Sequence, residues 1–130
     1  MVVELDLTNR CNNRCPACVG RNTVKAELSW EEIERIADGL CELDCKGVIL
    51  SGGGEPLLHP QFIQALEFLK ERGLKIGINT NGLTLDRAKA EAMIKQGSSY
   101  AGILRYMLEH NCKLEQEIIS WQETRLESFL

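Results

Sequence analysis

The first 97 residues repeat one pattern three times: a short apolar segment, a loop rich in small or polar residues, and an amphipathic helix. Val2 to Thr8 alternates Val3, Leu5 and Leu7 with Glu4 and Asp6, which is the two-residue period of a strand. Asn9 to Arg21 then reads as a loop. Ser29-Trp30-Glu31-Glu32 carries the S-x-x-E pattern of a capping box and predicts a helix from about Trp30 to about Leu43. Ile33, Ile36, Ala37, Leu40 and Cys41 recur along it at helical spacing.

Gly47-Val48-Ile49-Leu50 predicts a second, buried strand running into Ser51-Gly52-Gly53-Gly54. Pro60 suits the first turn of a second helix, with Phe62, Ile63, Leu66 and Leu69 inward and Gly73 as its stop. Leu74 to Ile78 predicts a third strand, and Asn79-Thr80-Asn81-Gly82 a turn. Thr84 is expected to cap a third helix that ends near Gln96 at Gly97.

Strand and helix in alternation imply parallel strands joined by crossovers, an α/β fold. Functional loops in such folds gather at the C-terminal ends of the strands. The cysteine loop, the glycine loop and the Asn-Thr-Asn-Gly turn all follow strands. Beyond Gly97 the rhythm fails, and Ser98 to Leu130 reads as a helical tail broken near His110-Asn111-Cys112. Ile103, Leu104, Met107 and Leu108 share one face of its first segment.

Composition narrows the function classes. The formal net charge is -4 and no Lys/Arg run stands out, which argues against a nucleic-acid partner. No apolar run approaches the ~20 residues of a membrane-spanning helix. No signal peptide is evident at Met1-Val2-Val3-Glu4, so a cytoplasmic protein is expected. Aromatic residues make up 5%, so the core is expected to be aliphatic.

Six cysteines are present: Cys11, Cys15, Cys18, Cys41, Cys45 and Cys112. Three of them fall within the eight residues from Cys11 to Cys18, spaced C-x-x-x-C-x-x-C. Clustered cysteines in a cytosolic chain bind metal or do redox chemistry more often than they form disulfides. Thiolates are the ligands of iron–sulfur clusters. Three of them grip three corners of a cubane cluster and leave the fourth iron open, as catalytic zinc sites leave a position open. A zinc site with His59 as fourth ligand explains neither the glycine loop nor the strand–helix context. Cys41 and Cys45 read as small buried hydrophobes; a second cluster with Cys112 is the alternative. His59 and His110 read as surface or capping residues.

The Cys11-Cys15-Cys18 spacing after a first strand resembles the radical S-adenosylmethionine (SAM) superfamily. Leu7-Thr8-Asn9-Arg10, Cys15-Pro16 and Gly52-Gly53-Gly54-Glu55-Pro56 carry the likeness further. The first two of these resemble the SPASM/cofactor-maturase branch, which modifies peptides and proteins and builds cofactors. The family usually has an aromatic residue before the third cysteine, where this chain has Ala17.

The resemblance implies a partial TIM-like (β/α) barrel over residues 1–97, with three βα units where the family has more, and a tail, 98–130, that does not match. It implies a 4Fe–4S cluster on Cys11, Cys15 and Cys18, and SAM held at its methionine end by Gly53, Gly54 and Glu55. Thr80 and Asn81 form a weaker third match. Reductive cleavage of SAM to a 5′-deoxyadenosyl radical and hydrogen abstraction are the implied activity, with a flavodoxin- or ferredoxin-like electron donor. The substrate is not fixed by the sequence, a peptide or protein being the class that the resemblance suggests, and no catalytic side chain is assigned. The alternative is a non-catalytic iron–sulfur or zinc-binding module. Three strands cannot close a barrel. The chain is therefore expected to be a truncation, to need a partner chain, or to cover its sheet with the tail. Alone it is expected to be poorly stable or self-associated and not to turn over substrate.

Overall fold

The computed structural model describes residues 1–15, 18, 26–51 and 53–98. Three strands, β1 (Val2–Leu5), β2 (Gly47–Leu50) and β3 (Lys75–Ile78), form one sheet in the order β1-β2-β3. Both pairs are parallel, with Val2 opposite Gly47 and Gly47 opposite Lys75. Between and after them lie α1 (Trp30–Glu42), α2 (Phe62–Glu71) and α3 (Arg87–Lys95), with a 3-10 turn at Pro56–Leu58. This is the α/β alternation the sequence implies, three units of a partial TIM-like barrel. Beyond Ser98 the tail lies outside the described residues.

β1 leaves the ladder three residues before the expected Thr8. Leu7 and Thr8 are still buried, Leu7 completely, while Asp6 between strand and loop is exposed, and the chain is needed elsewhere. Asp6 accepts a hydrogen bond from the Gly53 backbone at 3.1 Å, and Thr8 forms an isolated antiparallel bridge with Glu27. The strand end is thereby turned into the base of the cysteine loop.

α1 begins at the capping box: Ser29 Oγ accepts from Glu32 N–H at 3.3 Å, and Glu32 Oε2 accepts from Ser29 N–H at 2.8 Å. Its inward face is Ile33, Ala37 and Leu40, whereas Cys41 points out. Cys45 is the small buried hydrophobe of the pair, its thiol 3.2 Å from Gly47 O. Cys112 lies outside the described residues.

α2 starts at Phe62, not at Pro60. The Gln61 N–H is taken by His59 Nδ1 and the Phe62 N–H by the His59 carbonyl, so His59 to Gln61 is a turn ahead of the helix. Gly73 ends α2 with φ +78° and Gly97 follows α3 with φ +63°. Both occupy the left-handed region that glycine enters without penalty.

α3 is capped by Asp86, whose carboxylate accepts from Lys89 N–H at 2.8 Å, and not by Thr84. Leu85 is buried in the core, and its N–H bonds to the Gly82 carbonyl. That turn uses up the residues around Thr84 and delays the helix.

Strands and inward helix faces share a single core of mainly aliphatic side chains, including Leu7, Ile33, Val48, Leu50, Leu66, Leu69 and Ile78. Outside it, Trp30 meets Phe68 edge to face at 5.1 Å. Arg72 stacks over Phe68 and bonds Asp38, which ties α1 to α2.

Candidate functional site

The loops that follow β1, β2 and β3 are knitted together at one end of the sheet. The first is the cysteine loop, closed at its base. Asn9 N–H donates to the Ala26 carbonyl at 3.0 Å, Ala26 N–H donates to Asn9 Oδ1, and Leu28 N–H donates to Leu7 O. Arg10 grips Glu27 through Nε and Nη2 at 2.9 and 2.6 Å, and Nη2 reaches Leu58 O at 3.0 Å. Partial burial pushes the Glu27 carboxyl up, but the Arg10 hydrogen bond, helped by Thr8 and the guanidinium charge, outweighs it and holds Glu27 below the ordinary glutamate range.

His59 supports the same base. It is buried, with Nε2 2.9 Å from Leu28 O and Nδ1 accepting from Gln61 N–H at 3.1 Å. It is a buried bridge and not a surface residue, and both ring nitrogens are engaged.

Cys11, Cys15 and Cys18 are exposed thiols on this loop, none of them in a disulfide, and Cys18 N–H bonds back to Cys15 O. The structure brings them onto one loop but does not draw their sulfurs together. Among the described residues no three His, Cys, Asp or Glu side chains converge closely enough to hold a metal ion. The donor set itself, three accessible thiols, fits the soft-ligand chemistry of an iron–sulfur cluster. Pro16 and Ala17 lie outside the described residues.

The second loop is packed against the first. A Cβ on Gly54 would fall 2.3 Å from Arg10 O and 2.5 Å from Thr8 O, both rigid backbone atoms. Only glycine lets the two loops approach so closely. Glu55 N–H donates to Arg10 O at 2.8 Å. Gly53 and Gly54 remain partly accessible, and Gly52 lies outside the described residues.

Glu55 joins the second loop to the third. Its side chain is buried, at 2% exposure for the residue. Oε1 accepts from Leu57 N–H at 3.1 Å and from Thr80 Oγ1 at 2.5 Å, and Oε2 accepts from Asn81 N–H at 2.7 Å. Burying a carboxylate is costly unless it is well hydrogen-bonded, and three donors meet that demand. Gly82, at φ +71°, completes the turn, and its N–H bonds Thr80 Oγ1. Asn81 then reaches the first loop: Nδ2 lies 2.8 Å from Asn12 Oδ1 and 3.9 Å from Cys11 Sγ.

The residues singled out in the sequence, Cys11, Gly53, Gly54, Glu55, Thr80 and Asn81, thus belong to one connected assembly. Sequence reasoning missed Asp6, Arg10, Glu27 and Asn12. Arg10 had a signal in its place beside Cys11, but Glu27 lies in an undistinguished stretch.

An α/β sheet with a three-cysteine loop over the end of its first strand defines a class of redox-cofactor proteins, and the comparisons give the family. The family model of the radical SAM superfamily matches residues 5–108. The chain belongs to the radical SAM superfamily, whose members are enzymes that bind a 4Fe–4S cluster and SAM.

Fe-coproporphyrin III synthase of Methanosarcina barkeri is 33% identical over 105 residues, 78% of this chain and 26% of its own length. The tungsten-containing aldehyde ferredoxin oxidoreductase cofactor-modifying protein of Pyrococcus furiosus is 32% identical over 84 residues, 62% of this chain and 24% of its own. PqqA peptide cyclase of Rhodopseudomonas palustris is 29% identical over 106 residues, 79% of this chain and 28% of its own. The chain spans about a quarter of the length of these curated relatives. BtrN, solved in complex with AdoMet and 2-DOIA, superposes with a TM-score of 0.64 at 22% identity, covering 73% of this chain and 41% of that one. The likeness to BtrN concerns the fold. No described helix is long and apolar enough to cross a membrane.

Proposed function

We propose that this chain is the N-terminal part of a radical SAM catalytic core, with Cys11, Cys15 and Cys18 as ligands of one 4Fe–4S cluster whose fourth iron stays open for SAM. Gly53 and Gly54 offer accessible backbone to the methionine end of SAM beside that iron. Glu55 supplies the anionic end of the same site, and Thr80 and Asn81 border it. Cys11, Cys15 and Cys18 would hold the cluster, which would supply the one electron for reductive cleavage of SAM to methionine and a 5′-deoxyadenosyl radical, the agent of hydrogen abstraction from the substrate.

The observation that carries this reading is the Gly54–Glu55 link between the other two loops. Glu55 donates its N–H to Arg10, next to Cys11, and receives Thr80 and Asn81 on its carboxylate. Fixed loops are what cofactor chemistry asks of a protein, which binds and orients while the cofactor reacts. The relatives' names point to cofactor precursors and peptides as the substrate class, and a cytoplasmic protein reduced by a flavodoxin- or ferredoxin-like donor fits that setting.

The test is anaerobic reconstitution with iron and sulfide, followed by an optical spectrum, an iron count and product analysis for 5′-deoxyadenosine. About four irons per chain and a charge-transfer band near the visible are expected for a cubane cluster. Protein that holds zinc and takes up no iron overturns the proposal.

A further inference from the structure

Asn81 stands where all three loops meet. Glu55 Oε2 holds its backbone N–H at 2.7 Å, and its own Oδ1 accepts from Leu83 N–H at 3.0 Å. These two bonds fix the backbone and the side-chain carbonyl. The remaining part of the side chain is the Nδ2 amide, which carries two N–H donors. It is turned to the cysteine loop, 2.8 Å from Asn12 Oδ1 and 3.9 Å from Cys11 Sγ. The second distance is at the long end for a sulfur acceptor.

We infer that Asn81 is a positioning residue for the cluster: its amide anchors Asn12 and donates to the Cys11 sulfur, and so raises the reduction potential of a cluster ligated there. The inference rests on the cluster-binding reading of Cys11, Cys15 and Cys18. Hydrogen bonds to ligand sulfur are among the terms that set an iron–sulfur potential. An added electron puts more negative charge on the thiolate ligands. An N–H aimed at one of them therefore stabilises the reduced form more than the oxidised form. One electron arrives from an external low-potential reductant, and the donated proton stays on Asn81 throughout. The buried Glu55 carboxylate acts one step back, by holding Asn81 in place.

The measurement is the midpoint potential of the anaerobically reconstituted full chain, read by EPR on samples poised with dithionite. Asn81→Asp keeps an acceptor for Leu83 and the backbone bond to Glu55 but removes the donor. Asn81→Ala removes the donor without adding charge. Both are expected to hold as much iron as the wild type and to disfavour reduction about tenfold, a fall of about 59 mV for a one-electron couple. The fall is expected to be larger for the aspartate, whose charge adds to the effect.

Midpoints equal to wild type in both variants overturn the inference and leave the cluster reading standing. A role confined to stability would give that result, with lowered melting temperatures and an unmoved potential. Variants that keep the wild-type circular dichroism but lose iron also overturn it, because Asn81 would then retain the cluster and not tune it. Wild-type chain that binds zinc alone removes the reading on which the inference stands.

Discussion

The Glu55 carboxylate accepts the backbone N–H of Asn81 at 2.7 Å across 26 residues of chain, and the Thr80 hydroxyl beside it at 2.5 Å. A buried anion thereby closes the gap between the loop after β2 and the loop after β3. The short contacts follow from charge: donors to an ionised oxygen approach closer than donors to a neutral one. Because the same residue's N–H is bound to Arg10 O, all three loops share Glu55.

Glu55→Ala is expected to destabilise the chain by more than about 2 kcal/mol, since a buried donor left without an acceptor costs about 1–3 kcal/mol and three lose theirs here. Glu55→Gln, which keeps the shape and one acceptor, is expected to lose less. Urea unfolding measures both. A Glu55→Ala loss under about 0.5 kcal/mol, within the range of ordinary surface changes, would show that the clasp is not made in solution. Calorimetry on reconstituted protein adds the ligand side: equal SAM affinity in wild type and Glu55→Ala would count against a role for Glu55 in that site.

Two glycines separate crowding from backbone strain. Gly54→Ala places a methyl 2.3 Å from a backbone carbonyl, so the cysteine loop and glycine loop must part. Overpacking of that kind costs about 3 kcal/mol or more when backbone must move. Gly73→Ala meets nothing within 4 Å but keeps φ +78°, and the left-handed conformation costs about 1–2 kcal/mol. Thermal melts are expected to rank Gly54→Ala as the more damaging, and the reverse order would contradict the loop packing.

Substituting any one of Cys11, Cys15 or Cys18 by alanine is expected to abolish a stable cluster, because two thiolates leave two irons unheld. Cys41→Ala and Cys45→Ala are expected to keep the full iron content. Cys45→Ala costs some stability, since its thiol is buried against the Gly47 carbonyl. Iron analysis after gel filtration decides. Cys15→Ala that retains the whole cluster would contradict the ligand assignment.

Local signals were legible in the sequence where one short segment decides the outcome. Gly47-Val48-Ile49-Leu50 had to be a buried strand, and β2 has those bounds. The Ser29–Glu32 box had to start a helix, and Gly73 and Gly97 had to end two. The parallel sheet followed from the alternation. What stayed hidden was pairing across the chain. Nothing near Glu55 announces Thr80 and Asn81, and nothing near Arg10 announces Glu27, because those partnerships are set by strand register and loop packing. The start of α3 differs from the sequence expectation for a related reason: Thr84 and Asp86 are both good cap types, and the burial of Leu85 between them chooses the second.

That choice is open to a direct test at the two positions. Asp86→Ala removes the cap that accepts from Lys89 N–H, and loss of such a cap costs about 0.5–2 kcal/mol. Thr84→Val is expected to be neutral or slightly stabilising. The Thr84 hydroxyl is buried and has no hydrogen-bond partner among the described residues, so an apolar group of the same shape relieves a desolvation cost. If Thr84 were the cap, the two effects would be exchanged. The pH dependence gives a second reading of the same contact. Hydrogen bonds from the Lys89 side chain and backbone hold the Asp86 carboxyl below the ordinary aspartate value of 3.8. A carboxyl whose folded value is depressed stabilises the fold when ionised. Its contribution is therefore full at neutral pH, begins to fall as the pH drops to about the unfolded value, and is gone below the folded one. Wild type and Asp86→Ala should accordingly differ most in stability near neutrality and converge below the ordinary aspartate value in acid. A difference that stays constant down to strong acid would show that the charge of Asp86 plays no part in the cap.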